Sequence, residues 1–90
     1  MNSFKFKVEP KAVAIGCSDD ELRVSLTGGR TLLVPLAWFP RLAHASHAER
    51  AAYEILGDGE GIHWPQVDED ISVAGLLAGQ PSAEVKAAIS

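Results

Sequence analysis

The stretch from Val13 to Pro35 reads VAIGCSDDELRVSLTGGRTLLVP, and it decides the fold. Apolar residues alternate with small or polar ones over 13–17 and again over 22–26, which is the period of half-buried strands. The polar run 18–21 separates the two, and its short side chains can hydrogen-bond to their own backbone. These residues predict a β-hairpin.

A second turn joins this hairpin to a third strand. Gly28 and Gly29 supply the positive φ that a tight hairpin turn needs, and the run 31–34 that follows is mostly apolar. The strand stops at Pro35, because proline has no N–H to donate to a ladder. The sequence therefore predicts a three-stranded antiparallel meander.

Helical signals follow the meander. Residues 36–42 can form only short helical turns, since Pro40 would interrupt a longer helix. Ser46 and Glu49 form a capping box, and the apolar spacing after them predicts a helix that ends at Gly57.

The rest of the chain predicts short elements. Residues 57–61 read as a flexible acidic loop, 62–64 as a short strand, and 73–78 and 83–89 as short helices. The expected fold class is α+β, in which a small antiparallel β-meander with a short additional strand packs against short α-helices.

Length and composition exclude several classes of protein. The 90 residues, 47% of them hydrophobic, are enough for one core, so residues 1–90 are expected to form a single domain. Cys17 is the only cysteine, which excludes an internal disulfide and fits a reducing compartment. No stretch approaches the ~18 apolar residues of a membrane span. We therefore expect a cytoplasmic protein without membrane contact.

Charge is unevenly distributed along the chain. Residues 1–50 hold seven Lys/Arg against five Asp/Glu, whereas residues 51–90 hold one against seven. Five of the late carboxylates fall within 58–70, where there is no Lys or Arg, so a DNA phosphate backbone would be repelled. A basic protein partner would be attracted. A solvated face with no binding role is the alternative interpretation.

Large aromatic and cationic residues suggest a contact surface, because Trp and Arg carry much of the binding energy in protein interfaces. Alternatively, Trp38 and Trp64 belong to the core, and Arg41 pairs with the carboxylates of 68–70. The predicted contact residues are Trp38, Arg41, Arg50, Asp58, Glu60, His63, Trp64, Asp68, Glu69 and Asp70.

Candidate chemical sites are weak. The glycines of 57–61 follow a helix and enclose two carboxylates, which is wrong for a phosphate loop. His44 and His47 lack further metal ligands nearby, and Cys17 at an inward strand position is typical of an inert thiol. No catalytic residue, metal or cofactor is predicted, and a non-enzymatic role is favoured.

An enzyme or small-ligand protein remains the alternative. In that case His63, Asp68 and Asp70 would line a pocket near Trp64. On an extended chain, Asp68 and Asp70 would converge on one face, whereas Glu69 would point to the other.

Several strings of the sequence resemble the bacterial domain-of-unknown-function family 2442 (DUF2442). The likeness spans about residues 13–79 and leaves 80–90 as a tail or short helix. It is carried by Gly29-Arg30, Val34-Pro35-Leu36-Ala37-Trp38-Phe39-Pro40-Arg41-Leu42, Glu49-Arg50, Gly61-Ile62-His63-Trp64-Pro65, Asp68-Glu69-Asp70-Ile71-Ser72-Val73 and Gly75-Leu76-Leu77-Ala78-Gly79.

The resemblance implies a small α/β fold and assigns no catalytic residue or cofactor. Some relatives carry a helix-turn-helix domain after this one, and others are encoded beside a second small protein, as in toxin–antitoxin pairs. Eleven residues follow Gly79, too few for a DNA-binding domain, so direct DNA binding is not expected. The expected function is a non-enzymatic protein-interaction module, the antitoxin-like half of a bacterial two-protein system, with a small and basic partner. A homodimer formed through a strand edge is a further alternative.

Overall fold

A computed structural model of the chain describes residues 10–82. The first sheet has three antiparallel strands in the order β1 (Ala12–Cys17), β2 (Glu21–Leu26) and β3 (Thr31–Pro35). Gly28 and Gly29, at φ 87° and 92°, form the second turn. The predicted meander is confirmed, with its two turns at the expected places.

The start of β1 departs from the predicted alternation. The β1–β2 register shifts between Ala12 and Ala14, so that the strand carries an irregularity there. As a result Ala12 is buried, whereas Val13 is 56% exposed. The apolar pattern pointed to Val13 as an inward residue; an extra residue in a strand reverses which face its neighbours occupy.

Three short helical segments link the two halves of the molecule. A 3₁₀ turn spans Leu36–Trp38, α1 spans Pro40–Ala43 and α2 spans His47–Ala51. The predicted capping box begins α2: Ser46 Oγ accepts from the Glu49 N–H at 3.1 Å, and Glu49 Oε1 accepts from the Ser46 N–H at 2.8 Å. The short turns expected after β3 are also confirmed.

The predicted extension of this helix to Gly57 is wrong. Helix α2 ends at Ala51, and Glu54–Leu56 forms β4 of a second antiparallel sheet, in the order β4, β5 (Gly61–Trp64) and β6 (Glu69–Ser72). Ile55 lies opposite Ile62, which lies opposite Ile71. Cross-strand packing of β-branched residues therefore outweighs the helical spacing, and the single predicted additional strand is the middle one of three.

The expected loop at 57–61 is a tight β4–β5 turn that joins the two sheets. Gly57 and Gly59 have positive φ, 58° and 105°. The Ala12 N–H donates to the Gly59 carbonyl oxygen at 2.7 Å, and a Cβ at Gly59 would lie 2.5 Å from the Ala12 carbonyl oxygen. Only glycine fits at this close approach.

The core lies between the two sheets and beneath the helices, including α3 (Val73–Leu77), which Ser72 caps as predicted. The observed class is α+β. The predicted helix at 83–89 lies outside the described residues. Within 10–82, no helix is long and apolar enough to cross a membrane. The buried apolar side chains are Ala12, Leu22, Val24, Leu26, Val34, Leu36, Phe39, Leu42, Ala45, Ile62, Trp64, Ile71, Val73 and Leu76.

Candidate protein-interaction surface

Trp64 is a core residue. Its side chain is fully buried, its ring centroid lies 6.4 Å from that of Tyr53, and its indole N–H donates to the Arg50 carbonyl oxygen at 3.0 Å. That carbonyl belongs to the last turn of α2, where helices leave carbonyl groups without partners. In the folded chain Trp64 is therefore not available to a partner, and its assignment to the contact surface is corrected.

Arg50 is also buried, and its guanidinium hydrogen-bonds to backbone carbonyl oxygens of α1. Nε donates to the Leu42 carbonyl oxygen at 2.9 Å, and Nη2 donates to that of Ala43 at 3.0 Å. Nη1 lies 3.3 Å from Asp19 Oδ1. Arg50 thus ties α1 and α2 to the β1–β2 turn, and it too leaves the predicted contact surface.

Arg41 fastens α1 to the β5–β6 turn. Its Nη1 donates to the Asp68 carbonyl oxygen at 2.8 Å and lies 3.6 Å from Asp68 Oδ2. Asp68 has a left-handed backbone, at φ 54°, which a short polar residue tolerates in a turn. The predicted pairing of Arg41 with the 68–70 carboxylates is confirmed. Trp38, nearby, is half-buried and packs against the core.

The three acids of 68–70 occupy three different environments. Glu69 is buried on the inner face of β6, opposite Trp64, so it is removed from the predicted contact surface. Asp70 lies on the outer face with 68% of its side chain exposed. Asp68 sits in the turn beside Arg41. The expected convergence of Asp68 and Asp70 is wrong, because the left-handed residue breaks the extended alternation.

The outer face of the second sheet carries a polar row across its three strands. Glu54 lies opposite His63, and His63 lies opposite Asp70. His63 Nδ1 is 2.6 Å from Asp70 Oδ1, a hydrogen bond in which Nδ1 donates to the carboxylate. A histidine between two carboxylates on one face forms a mainly anionic strip.

Two more predicted acids lie in the β4–β5 turn. Asp58 and Glu60 are exposed, and Glu60 Oε2 lies 3.2 Å from Lys11 Nζ. Residues 57–60 form this turn, which places both carboxylates at one end of the second sheet. Among residues 10–82, no group of three or more His, Cys, Asp or Glu side chains could hold a metal ion.

Cys17 lines a small hollow with His47 and Arg50. Burial raises the pKa of the Cys17 thiol, and the nearby Arg50 guanidinium lowers it by less. The thiol is therefore held in its protonated, unreactive form at neutral pH. This agrees with the interpretation of Cys17 as a small apolar strand residue.

Sequence reasoning missed two features of this surface. Glu54 was assigned to a helix, although Gly57 and Gly59 between Ile55 and Ile62 are a hairpin signal. The second is a groove of about 570 Å³ lined by Pro10, Lys11, Glu60, Ser72, Val73, Ala74, Leu77 and Ala78. An apolar residue at the end of a short helix, Leu77, was its one sequence signal.

Comparison with known proteins identifies the family. The family model described as "Protein of unknown function (DUF2442)" matches residues 12–82. The chain belongs to this family. The match covers both sheets and α3, and it confirms the resemblance carried by the aromatic and acidic strings. The description of the DUF2442 family assigns no function to its members.

Two solved structures are similar to this DUF2442 chain. A protein of unknown function from Rhodospirillum rubrum is 35% identical with a TM-score of 0.73, and the match covers 87% of this chain and 96% of that one. An uncharacterized protein from Chromobacterium violaceum is 20% identical with a TM-score of 0.69, covering 81% and 69%. The second likeness shows the fold alone. No curated protein matches the chain.

Proposed function

We propose that this DUF2442 chain is a small non-enzymatic protein-interaction module, the antitoxin-like half of a bacterial two-protein system. It works in the cytoplasm and binds a small basic partner protein. The binding surface is the acidic face of the second sheet, defined by Glu54, Asp70 and the turn residues Asp58 and Glu60.

One observation carries this proposal. Residues 51–82 contain six carboxylates and no Lys or Arg, and all of these acids except Glu69 are exposed. Asp68 is neutralised locally by Arg41, and Glu60 by Lys11, whereas the row through Glu54, His63 and Asp70 contains no Lys or Arg. Such a field speeds association with a basic protein and disfavours DNA.

The test is binding to the product of the adjacent gene, measured with purified proteins at two salt concentrations. Neutralising Glu54→Gln together with Asp58→Asn is expected to weaken binding about tenfold, and raising the salt from 0.05 to 0.5 M to weaken it as well. The matched control is Asp20→Asn with Glu21→Gln, two exposed acids at the start of β2. Absent binding, salt-insensitive binding or an equal loss in the control contradicts the proposal.

A small-ligand or enzymatic role is the second candidate, and the 2.6 Å contact between His63 and Asp70 favours it. A carboxylate that orients an imidazole is a common arrangement around a general base. The third predicted member, Asp68, is held by Arg41 instead. The test is nuclear magnetic resonance of the His63 ring against a panel of small metabolites, with Asp70→Asn as the variant that should abolish any shift.

A further inference from the structure

Strand β4 is an open edge of the second sheet. Within residues 10–82 it pairs only with β5, so the backbone groups along its other side have no strand partner there. All three of its residues, Glu54, Ile55 and Leu56, are exposed. An exposed sheet edge is a template for a further strand, because the backbone of that strand completes the ladder. The occupant that this edge fits is therefore an extended chain.

The inner face of β4 ends an unfinished apolar row. Ile71 is 5% exposed and Ile62 is fully buried, whereas Ile55, the last member of the same cross-strand row, is 36% exposed. A strand added beside β4 would place one side chain opposite Ile55, with the two Cβ atoms about 5 Å apart. An aliphatic side chain at that position would cover Ile55 and continue the row.

The outer face of β4 selects the charge of the added strand. Glu54 stands on this face, in the row with His63 and Asp70 that contains no Lys or Arg. Among the described residues, none forms an ion pair with Glu54. Its carboxylate is thus open to a cation on the added strand, whereas an acidic side chain opposite it would be repelled.

The edges of the first sheet are poorer sites for a basic strand. On β3, the exposed Leu33 lies opposite Arg23, whose positive charge disfavours an incoming Lys or Arg. On β1, the Ala12 N–H already donates to the Gly59 carbonyl oxygen, and the nearby register shift distorts the edge. Charge and geometry together favour β4.

We propose that β4 takes up an extended segment of the basic partner as an additional strand, with a Lys or Arg opposite Glu54 and an aliphatic residue opposite Ile55. This inference rests on the proposed function and specifies how the partner binds. Backbone hydrogen bonds supply affinity in this mode, and alternate side chains supply specificity. A second copy of this chain fits less well, because antiparallel pairing about Ile55 would leave Glu54 opposite Leu56 of that copy, without a cation.

The test uses the full chain and a capped pentapeptide of alternating lysine and valine, with lysine at both ends. A glutamate–valine peptide is the charge control. The lysine–valine peptide with N-methyl groups on its three central residues is the backbone control, since it lacks those donors. We expect only the unmodified lysine–valine peptide to shift the amide signals of residues 54–56 in nuclear magnetic resonance spectra and to slow their hydrogen exchange. The same titration gives the dissociation constant.

Variants locate the binding. Glu54→Gln and Ile55→Thr are each expected to weaken the peptide about fivefold, because the first removes the charge and the second removes apolar contact but keeps a β-branched side chain. The matched controls are Glu21→Gln and Leu33→Thr, an exposed acid and an exposed aliphatic residue on strands of the first sheet. They should leave the affinity unchanged. Circular dichroism checks that each variant folds.

Three results would overturn the inference. The first is equal binding of the N-methylated peptide, and the second is an equal loss of affinity in Leu33→Thr. The third is a dimer in sedimentation that Ile55→Thr dissociates without peptide, which would assign the edge to a second copy.

The adjacent gene product separates this inference from the proposed function. Strand addition fails, while the proposed function stands, if that protein binds Ile55→Thr normally and leaves the exchange of residues 54–56 unchanged, yet loses affinity for the Glu54→Gln, Asp58→Asn variant. If it does not bind at all, the proposed function fails, and the peptide titration still decides whether β4 takes up a basic strand.

Discussion

The indole N–H of Trp64 donates to the backbone carbonyl oxygen of Arg50 at 3.0 Å, and both residues are buried. The contact joins β5 of the second sheet to the last turn of α2, so that one side chain satisfies a carbonyl that the helix leaves unpaired. The guanidinium of the same Arg50 donates to two carbonyl oxygens of α1, at Leu42 and Ala43. Through these hydrogen bonds, Trp64 and Arg50 connect α1 and α2 to each other and to β5.

Trp64→Phe tests the helix-to-strand contact. Phenylalanine keeps an aromatic ring in the core but leaves the Arg50 carbonyl oxygen buried without its donor, at an expected cost of about 1–3 kcal/mol in the free energy of unfolding. Urea denaturation measures the loss. Trp38→Phe, at a half-buried position, is the control and should lose less. Equal losses in the two variants would contradict a specific role for the indole N–H.

Arg50→Met tests the buried guanidinium. Methionine has a similar length but no donors, so the Ala43 carbonyl oxygen loses its side-chain donor, and the Leu42 carbonyl oxygen keeps only the backbone N–H of Ala45. We expect a loss of about 2–4 kcal/mol. Arg23 lies exposed on β2, and Arg23→Met should change stability by less than about 0.5 kcal/mol. If Arg50→Met also changes the free energy of unfolding by less than about 0.5 kcal/mol, the hydrogen bonds of the Arg50 guanidinium do not contribute to stability.

Gly59→Ala tests the close approach between the sheets. The added Cβ would lie 2.5 Å from the Ala12 carbonyl oxygen, so one of the two backbones must shift at a place where the Ala12 N–H donates to the Gly59 carbonyl oxygen. We expect a loss of about 2–3 kcal/mol. Gly28→Ala shares the positive φ but has nothing within 4 Å, so only backbone strain of about 1 kcal/mol remains. Thermal unfolding of both variants separates collision from strain.

Arg41→Ala tests how the β5–β6 turn is held. Because the pair is largely exposed, the expected loss in global stability is less than about 1 kcal/mol. The local effect is larger: amide hydrogen exchange at Val67 and Asp68 should become faster. Arg30→Ala, in an exposed turn of the first sheet, should leave that exchange unchanged. Unaltered exchange at residues 67–68 in Arg41→Ala would contradict the role of Arg41 in holding the β5–β6 turn.

Cys17 provides a dependence of stability on pH. Burial raises the pKa of its thiol in the folded chain, against a smaller lowering by Arg50, so the unfolded chain loses the thiol proton first as pH rises. Stability contributed by the protonated thiol is thus complete below the ordinary thiol pKa and is lost as pH rises through the folded-state pKa. Urea midpoints between pH 8 and 10 should fall less steeply in Cys17→Ala. Identical slopes would contradict the raised pKa.

Local signals predicted the elements whose residues act on their neighbours in sequence. The paired glycines at 28 and 29, the capping box at Ser46 and Glu49, and the cap at Ser72 each work within four residues, and each is found as expected. The second sheet was missed because its pairing joins Ile55, Ile62 and Ile71 across the chain, and the spacing of Ile55 suits a helix as well as a strand. Long-range packing settled that ambiguity.

The candidate surface divides in the same way. The sequence by itself determined the family, the meander and the acidic character of residues 51–82, because composition and short motifs carry this information. It offered the pairing of Arg41 with that segment as one of two alternatives, and the structure decided for it. Only the tertiary structure decided that Trp64 and Glu69 face inward while Glu54, His63 and Asp70 share an outer row. The physical reason is that the face of a strand is set by its register and by turn residues such as the left-handed Asp68, and both depend on partners distant in sequence.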